Sequence, residues 1–286
     1  MIVLKAILLI LLVLAVAIVV AIVCGASRWH VGTNALRAQL RATRVPITPA
    51  TYALHELEGL PPPVQRYFRA VLTEGQPIVA AVRVAHAGQF NMSETHAKWS
   101  AFTSEQLVIT RCPGFDWDAR IRMAPGMRVF VHDAYVAGEG ILHAALCGLI
   151  TLANLRGTPE VAEGELMRFL AEAAWYPTAL LPSQGVRWDA IDDTSARASL
   201  VDGVTTVSLA FGFDAEGLIH TAHAAARYRT VNGELVATPW QGRFWAHEVR
   251  GGMRIPLHGE VAWLLPDGPS PYWRGRITDI VYELAR

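Results

Sequence analysis

The chain begins with an uninterrupted apolar run. Residues 6–23 are 18 consecutive apolar residues, a length just sufficient for a helix to cross the hydrocarbon core of a bilayer. A cleavable signal peptide usually has a shorter run, and Val23 stands where a lipoprotein signal needs a small residue before Cys24. We therefore predict a retained membrane anchor over residues 1–24, with a processed signal and a lipidated Cys24 as alternatives.

The charges that flank this run bear on its orientation. Lys5 precedes it, and arginines between residues 28 and 44 follow it. A literal count of positive charge favours a cytoplasmic body, whereas a short basic start before a signal-like run favours export of the rest. We predict a single-pass protein of the cell membrane whose body lies on the outer, periplasmic or extracellular, face. Residues 25–59 are interpreted as a polar connector.

After residue 60 the apolar positions follow first a helical and then an alternating pattern. Val64, Phe68 and Val71 recur at helical spacing behind a proline-rich first turn, which predicts a helix from Leu60. Between residues 78 and 135 apolar and polar residues alternate, with Pro125-Gly126 as a turn signal. This segment predicts four strands that short connections make antiparallel neighbours.

Residues 141–155 are apolar on nearly all sides. The run is too short to span a membrane, so we interpret it as a buried core helix. Glycines at positions 138, 140 and 157 would also suit an interfacial element or a mobile lid over an apolar cavity. A strand is the third alternative.

Residues 164–175 predict a helix on which the rest of the chain is organised. Its apolar stripe consists of Leu166, Phe169, Leu170 and Ala173, and its charged stripe of Glu165, Arg168 and Glu172. Pro177 lacks the amide that would continue the helix, which should end near Trp175. One helix between two groups of strands predicts that it occupies the concave side of a curved sheet.

Seven strand-like segments follow between residues 188 and 284, separated by hairpin signals such as Asp202-Gly203 and Asn232-Gly233. In residues 207–213 large apolar side chains alternate with small ones, including Ala210, and Ala224 repeats the small-residue pattern on the next strand. Small side chains on one face leave room either for the central helix or for a ligand beside it.

These elements predict an α+β fold. An N-terminal transmembrane helix precedes one domain over residues 60–286, in which a strongly curved antiparallel sheet, a half-barrel, wraps around one or two helices.

Composition and motifs narrow the chemistry. The formal net charge is +0, and no basic excess points to nucleic acid. The sequence contains no nucleophile elbow, phosphate loop, dinucleotide fingerprint or zinc-protease motif, so no cofactor or metal is predicted and enzymatic activity stays open. Asp116 and Asp118 alternate on a strand and point the same way, and Asp192-Asp193 add two carboxylates. Together the four would suit a metal or acid–base site; apart, they would make local hydrogen bonds.

Arg168 has two possible roles. It can pair with Glu172 one turn later, and if enclosed it needs that carboxylate or an aspartate such as Asp192 to offset the burial of its charge. It can instead bind the anionic head of an amphiphile whose tail lies along the apolar helix and the small-residue strand faces. The predicted ligand-binding residues are Arg168, Glu172, Trp175, Leu180, Ala210 and Ala224.

Five stretches resemble a bacterial family known only as a domain of unknown function. They are Leu60-Pro-Pro-Pro-Val-Gln-Arg-Tyr-Phe, Pro113-Gly-Phe-Asp-Trp-Asp-Ala, Arg168-Phe-Leu-Ala-Glu-Ala-Ala-Trp-Tyr-Pro-Thr-Ala-Leu-Leu-Pro, Trp188-Asp-Ala-Ile-Asp-Asp and Pro239-Trp-Gln-Gly. That resemblance implies no activity. The order of strands, helix and strands, with Phe211-Gly-Phe-Asp-Ala-Glu-Gly-Leu-Ile and Gly252-Met-Arg-Ile-Pro, is more distantly similar to half-barrel lipoprotein carriers that shuttle acyl chains between bacterial membranes.

The anchor, the curved sheet and the small-residue faces favour a membrane-anchored binding or carrier module for a lipid or another hydrophobic small molecule. Its expected partners are therefore the membrane and that ligand. The alternatives are a membrane-tethered hydrolase or metal-dependent enzyme that uses the aspartates, and a non-catalytic interaction scaffold with a fully packed core.

Overall fold

The computed structural model describes residues 1–93 and 96–285. Within them the chain forms three α-helices, α1 (Ile2–Ala42), α2 (Pro62–Val71) and α3 (Pro159–Glu172). Short 3-10 helices occupy Leu54–Leu57, Ala173–Trp175, Pro177–Leu180 and Pro182–Gln184. The strands of the same residues are β1 (Val79–Asn91), β2 (Trp99–Ile109), β3 (Gly114–Ala124), β4 (Met127–Val136), β5 (Glu139–Leu146), β6 (Ile150–Arg156), β7 (Arg187–Ala190), β8 (Ser195–Asp202), β9 (Thr205–Phe213), β10 (Ile219–Val231), β11 (Glu234–Arg250), β12 (Met253–Leu265) and β13 (Gly268–Leu284).

All of these strands belong to one antiparallel sheet with the order β6-β5-β4-β3-β2-β1-β13-β12-β11-β10-β9-β8-β7. The first and last strands pair at its middle, where Val79 lies opposite Leu284. The chain runs outward from β1 to the edge strand β6, and then from the opposite edge strand β7 back inward to β13. α3 joins the edges and packs against β4 and β5 on one side and β9 and β10 on the other. The predicted curved sheet around a central helix is confirmed.

The central helix begins earlier than its apolar stripe indicated. Thr158 caps it, since its Oγ1 accepts a hydrogen bond from the Val161 amide at 3.3 Å, and Pro159 fits the first turn. The helix becomes a 3-10 turn at Ala173–Trp175, just before Pro177, as the missing proline amide predicted. Its side chains supply the middle of the core on the concave face of the sheet, the face that packs against α3.

α1 extends past the predicted anchor and covers part of the outer face, the face of the sheet turned away from α3. The helix is long and apolar enough to cross a membrane by length and composition. Its second half, after residue 24, packs across β2, β3 and β4, and its Trp29 and Leu40 are buried there. Residues 25–42, interpreted as connector, are therefore helical, and only the segment after Thr43 is irregular up to the short helix at Leu54.

The interpretation of residues 141–155 as a core helix is wrong. They form most of β5 and β6, which pair as an antiparallel hairpin. β5 is covered on both faces: Leu142 packs on the core beside α3, whereas Ile141 and Ala145 pack on the side of α1. A strand that is covered on both faces loses the apolar–polar alternation by which strands are recognised.

The placement of Ala210 inside the hollow is also wrong. On β9 the large residues Val207, Leu209 and Phe211 are buried in the core, while Ser208 is exposed and Ala210 partly exposed on the other face. The small-residue face of this strand therefore forms the outer surface. The large side chains fill the concave side, which is the arrangement expected where a sheet packs on a helix.

Candidate functional site

A cleft of about 440 Å³ lies on the concave face beside the first half of α3. One wall is the inner face of β5 and β6, with Leu142 and Leu155, and the opposite wall is the end of β10 and the start of β11. The end of β1 and the facing parts of β12 and β13 close the third side. The described lining residues are Phe90, Asn91, Met92, Ser93, Asp133, Leu142, Leu155, Glu160, Val161, Gly164, Glu165, Arg227, Tyr228, Arg229, Thr230, Leu235, Trp263, Ser270 and Tyr272.

A smaller chamber of about 80 Å³ adjoins the inner end of this cleft. Phe90, Asp133, Arg227 and Tyr272 line both spaces and mark the junction between them. The walls of the chamber are largely aromatic: they include Trp117, Trp175, Trp240, Phe244 and Trp273. A volume of this size holds a few water molecules or a small chemical group.

Arg168 is the charged centre of the chamber wall. Its Nε donates to Glu172 Oε1 at 2.7 Å, and its Nη1 donates to Asp133 Oδ2. Gln106 Nε2 donates to the other oxygen of Glu172 at 2.6 Å. Burial alone would lower the pKa of Arg168, but the Glu172 and Asp133 carboxylates raise it above its ordinary value. The guanidinium is therefore charged, and its main visible role is to neutralise two carboxylates at the base of the site.

A second buried pair stands at the junction. Arg227 Nη2 donates to Glu165 Oε1 at 3.4 Å, and Arg227 Nη1 donates to the Tyr272 hydroxyl at 3.3 Å. The same hydroxyl accepts from Trp240 Nε1 at 2.8 Å. Burial, followed by the charge of Asp133, raises the pKa of Glu165 well above its usual range, so this carboxyl favours the neutral form.

Several buried polar atoms here lack a hydrogen-bond partner among the described residues. They include the indole nitrogens of Trp117 and Trp175, Glu165 Oε2 and His86 Nε2. His86 packs against Trp175, and burial, followed by the charge of Arg168, lowers its pKa to about 3. Unpaired buried donors and acceptors are costly unless water or a ligand satisfies them. The atoms of Trp117, Trp175 and Glu165 therefore add unsatisfied polar groups to the walls of the two spaces.

The predicted ligand-binding residues fall into three places. Arg168, Glu172 and Trp175 line the chamber. Leu180 and Ala224 are buried in the packed core and line neither space. Ala210 lies on the outer face, as described above. The junction residues Asp133, Arg227 and Tyr272 were not predicted: the alternation along β4 would place Asp133 on the inner face, but its partner across the fold is not visible in the sequence.

The aspartates of the enzyme hypothesis lie elsewhere. Asp116 and Asp118 share one face of β3, as predicted, but it is the outer face under α1: Arg37 Nε donates to Asp116 at 2.7 Å and Trp29 Nε1 to Asp118 at 2.9 Å. Asp192 lies in the loop between β7 and β8 and accepts from the Thr194 amide at 2.8 Å. Within residues 1–93 and 96–285, no group of three His, Cys, Asp or Glu side chains could hold a metal ion.

Thr33, His132 and Asp116 form a chain of hydrogen bonds under α1 that has the composition of a nucleophile, a base and an orienting acid. His132 Nδ1 lies 2.8 Å from Asp116 Oδ1, and its Nε2 lies 3.1 Å from Thr33 Oγ1. Their exposed fractions are only 3%, 6% and 0% for the Thr, His and Asp. Trp29 also stacks on the imidazole, with the ring centroids 4.5 Å apart. Because α1 covers all three, we interpret the cluster as a structural contact that holds α1 against the sheet.

Comparison with known proteins gives the following. No curated protein matches the sequence. One similar solved structure is a LolA superfamily protein, NE2245 from Nitrosomonas europaea, 13% identical, covering 71% of this chain and 86% of its own, with a TM-score of 0.38. Another is a beta-barrel-like protein of the domain of unknown function DUF1849 from Brucella abortus, 12% identical, covering 72% and 99%, with a TM-score of 0.21. A family model matches residues 58–282, most of the chain, and the chain therefore belongs to DUF6920, a family of unknown function.

Proposed function

We propose that the protein is a membrane-anchored module that binds one lipid-like amphiphile in the concave cleft. The observation that carries this proposal is the cleft itself, since about 440 Å³ is left open beside α3 on the concave face. Small-molecule sites commonly enclose about 300–1,000 Å³. The cleft is therefore large enough for one ligand, whereas the chamber alone is not.

The walls suit a molecule with an apolar and a polar part. Leu142, Leu155, Met92 and Trp263 supply apolar surface, against which a hydrocarbon chain would be removed from water. The junction of cleft and chamber supplies Arg227, with its guanidinium, and the unpaired indole donors of the chamber lie beyond it. We assign the polar end of the ligand to this junction. The ion pair of Arg168 and Glu172 then forms part of the chamber wall beyond the junction.

The long N-terminal helix supports the membrane part of the proposal. Residues 6–23 rise about 27 Å as a helix, close to the roughly 30 Å of a hydrocarbon core, and the apolar window of α1 is not buried against the body. We propose that this segment is a retained anchor, with the body on the outer face of the cell membrane. The cleft would then meet lipids at high local concentration.

Photolabelling of the full-length protein in vesicles tests the cleft. The vesicles contain phosphatidylcholine with a diazirine on one acyl chain, and labelled peptides are identified by mass spectrometry after irradiation. We expect labels on the cleft-lining residues 227–235 of the β10–β11 hairpin as well as on α1. Leu142→Trp fills the cleft and should lower labelling of residues 227–235 by roughly tenfold, equivalent to about 1.4 kcal/mol, while α1 is labelled as before.

Val201→Trp is the matched control, because it adds the same bulk at a 61% exposed position of β8 outside the cleft. It should leave all labelling unchanged. Labels confined to α1 and the tip of the β5–β6 hairpin, or labels on residues 227–235 that Leu142→Trp does not reduce, would count against a lipid site in the cleft.

A further inference from the structure

Exposed apolar side chains cluster at the tip of the β5–β6 hairpin. Leu149, Ile150 and Leu152 are 45%, 61% and 57% exposed. The base of the same hairpin is polar, where Arg156 Nε donates to Glu139 Oε1 at 2.8 Å in a solvent-exposed pair. This arrangement, with apolar side chains at the tip and charged ones at the base, is expected of a hairpin whose tip lies in an apolar environment.

The tip touches α1 where the apolar run ends. A Cβ placed on Gly25 would lie 2.5 Å from the Cys147 carbonyl oxygen and 2.6 Å from Leu149 Cγ, and one on Gly148 would lie 2.6 Å from the Gly25 carbonyl oxygen. Helix and turn are therefore in backbone contact. Gly25 is two residues beyond Val23, about 3 Å along the helix axis. The tip lies level with the end of the membrane-crossing length.

Two arginines lie on the neighbouring hairpin. Arg122 on β3 is directly opposite Arg128 on β4, and both are exposed. By strand alternation they share the outer face with Asp118 and His132, the face that α1 covers. Neither makes an ion pair with another described residue. Like charges in register repel, so this pair favours an environment that supplies anions. The turn on β5 is tied to it, since the Cys147 amide donates to the Arg128 carbonyl at 2.7 Å.

We propose that the hairpin tip, residues 147–152, and the arginine pair form a docking surface for a bilayer that contains anionic phospholipids. The tip would sit in the boundary between headgroups and acyl chains, and the arginines would bind phosphate groups. This proposal rests on the membrane anchor proposed above. It goes further by orienting the body: in the antiparallel sheet β1 ends on the side where the β5–β6 turn lies, so the wall of the cleft at Phe90 to Ser93 is turned toward the bilayer.

Depth-dependent quenching tests this surface in the full-length chain. A fluorescent amino acid replaces Ile150, Val13 or Val249 in turn, and each protein is reconstituted in vesicles of phosphatidylcholine with 30 mol% phosphatidylglycerol, with and without bromines on the acyl chains. Val13 lies within the apolar run. Val249 is a 64% exposed valine near the end of β11, at the opposite end of the sheet from the β5–β6 turn. We expect bromine quenching at positions 13 and 150 and none at 249.

The double variant Arg122→Gln/Arg128→Gln should lower quenching at position 150 toward its value in phosphatidylcholine alone, and leave position 13 unchanged. Arg156→Gln, at the base of the hairpin, is the matched control and should change neither. If position 13 is quenched but position 150 behaves like 249, the docking surface is refuted and the anchor stands. If position 13 is not quenched, the anchor itself fails. Energy transfer between copies labelled at 150, without lipid quenching, would instead assign the tip to protein contacts and overturn the proposal.

Discussion

Arg168 is the side chain on which the charges behind the cleft converge. It is largely buried, pairs with Glu172 and Asp133, and packs over the Trp117 ring with its guanidinium carbon 5.0 Å from the centroid. Arg168→Gln keeps a polar side chain of similar length but leaves two carboxylates buried without a cation. Because uncompensated buried charge is strongly unfavourable, we expect a loss of about 3–5 kcal/mol in the free energy of unfolding, measured by urea denaturation in detergent.

Arg156→Gln is the control for that prediction. It removes an arginine–carboxylate pair with the same type of contact, but both partners are exposed to water. Exposed pairs contribute less than about 1 kcal/mol, so this variant should unfold close to the wild type. Equal effects of the two substitutions would mean that the network around Arg168 does not stabilise the fold.

The two partners of Arg168 differ in how far sequence could reveal them. Glu172 follows at a spacing of four on a helix, and this local geometry predicts the pair directly. Asp133 lies on β4, 35 residues away, and Arg227 lies 62 residues from Glu165. These contacts depend on which strands the helix crosses, and no periodicity within either segment contains that information. The ion pair within α3 was therefore predictable from the sequence, whereas the contacts of α3 with β4 and β10 were not.

At the scale of elements, the contact between α1 and the β5–β6 turn leads to a testable difference between two glycines. Gly148 and Gly126 both occupy hairpin turns with left-handed backbone, at φ of +68° and +75°. A Cβ on Gly126 would meet open space, whereas one on Gly148 would collide with the Gly25 backbone. Gly126→Ala should therefore lower the free energy of unfolding by about 1–2 kcal/mol, because alanine disfavours the left-handed backbone at this position.

Gly148→Ala should lower the free energy of unfolding by about 1–3 kcal/mol more than Gly126→Ala does, because α1 must move away from the turn. Detachment would also expose Arg37, whose side chain is largely covered at the helix–sheet contact, and trypsin should cleave after it faster than in the wild type or in Gly126→Ala. Identical unfolding and identical cleavage of the two alanine variants would show that the close approach of helix and turn is not required.

Element types were predictable where one face of the element meets water. The segments 78–135 and 188–284 show alternation and turn residues, and the four and seven strands predicted there correspond to β1–β4 and β7–β13. β5 is covered by α3 on one side and α1 on the other, so its uniform apolar character was taken for a helix. The second half of α1 was missed for the opposite reason: its buried stripe includes Thr33 and Arg37, polar residues whose partners on β3 and β4 are visible only in the fold.

For the whole molecule, the pairing of the first strand with the last makes the two groups of strands depend on each other for burial of their inner faces. The two groups of strands meet at β1 and β13, and α3 spans the hollow between their outer edges. Residues from both groups belong to a single core cluster with α3. The first group also packs against α1 on its outer face, but each group buries its inner face only when the other group and α3 are in place.

Leu166→Ala tests this unity. Leu166 is completely buried on α3 within the shared core, so its truncation should lower the free energy of unfolding by about 2–5 kcal/mol. In hydrogen exchange monitored by mass spectrometry, the amides of β2–β4 and of β9–β12 should lose protection by the same factor, because both groups depend on the same helix. Val201→Ala, at an exposed strand position, should change the free energy of unfolding by less than about 0.5 kcal/mol. Loss of protection in one group while the other keeps its wild-type exchange would mean that the two halves of the sheet fold independently, and a cleft built between them would then have no fixed shape.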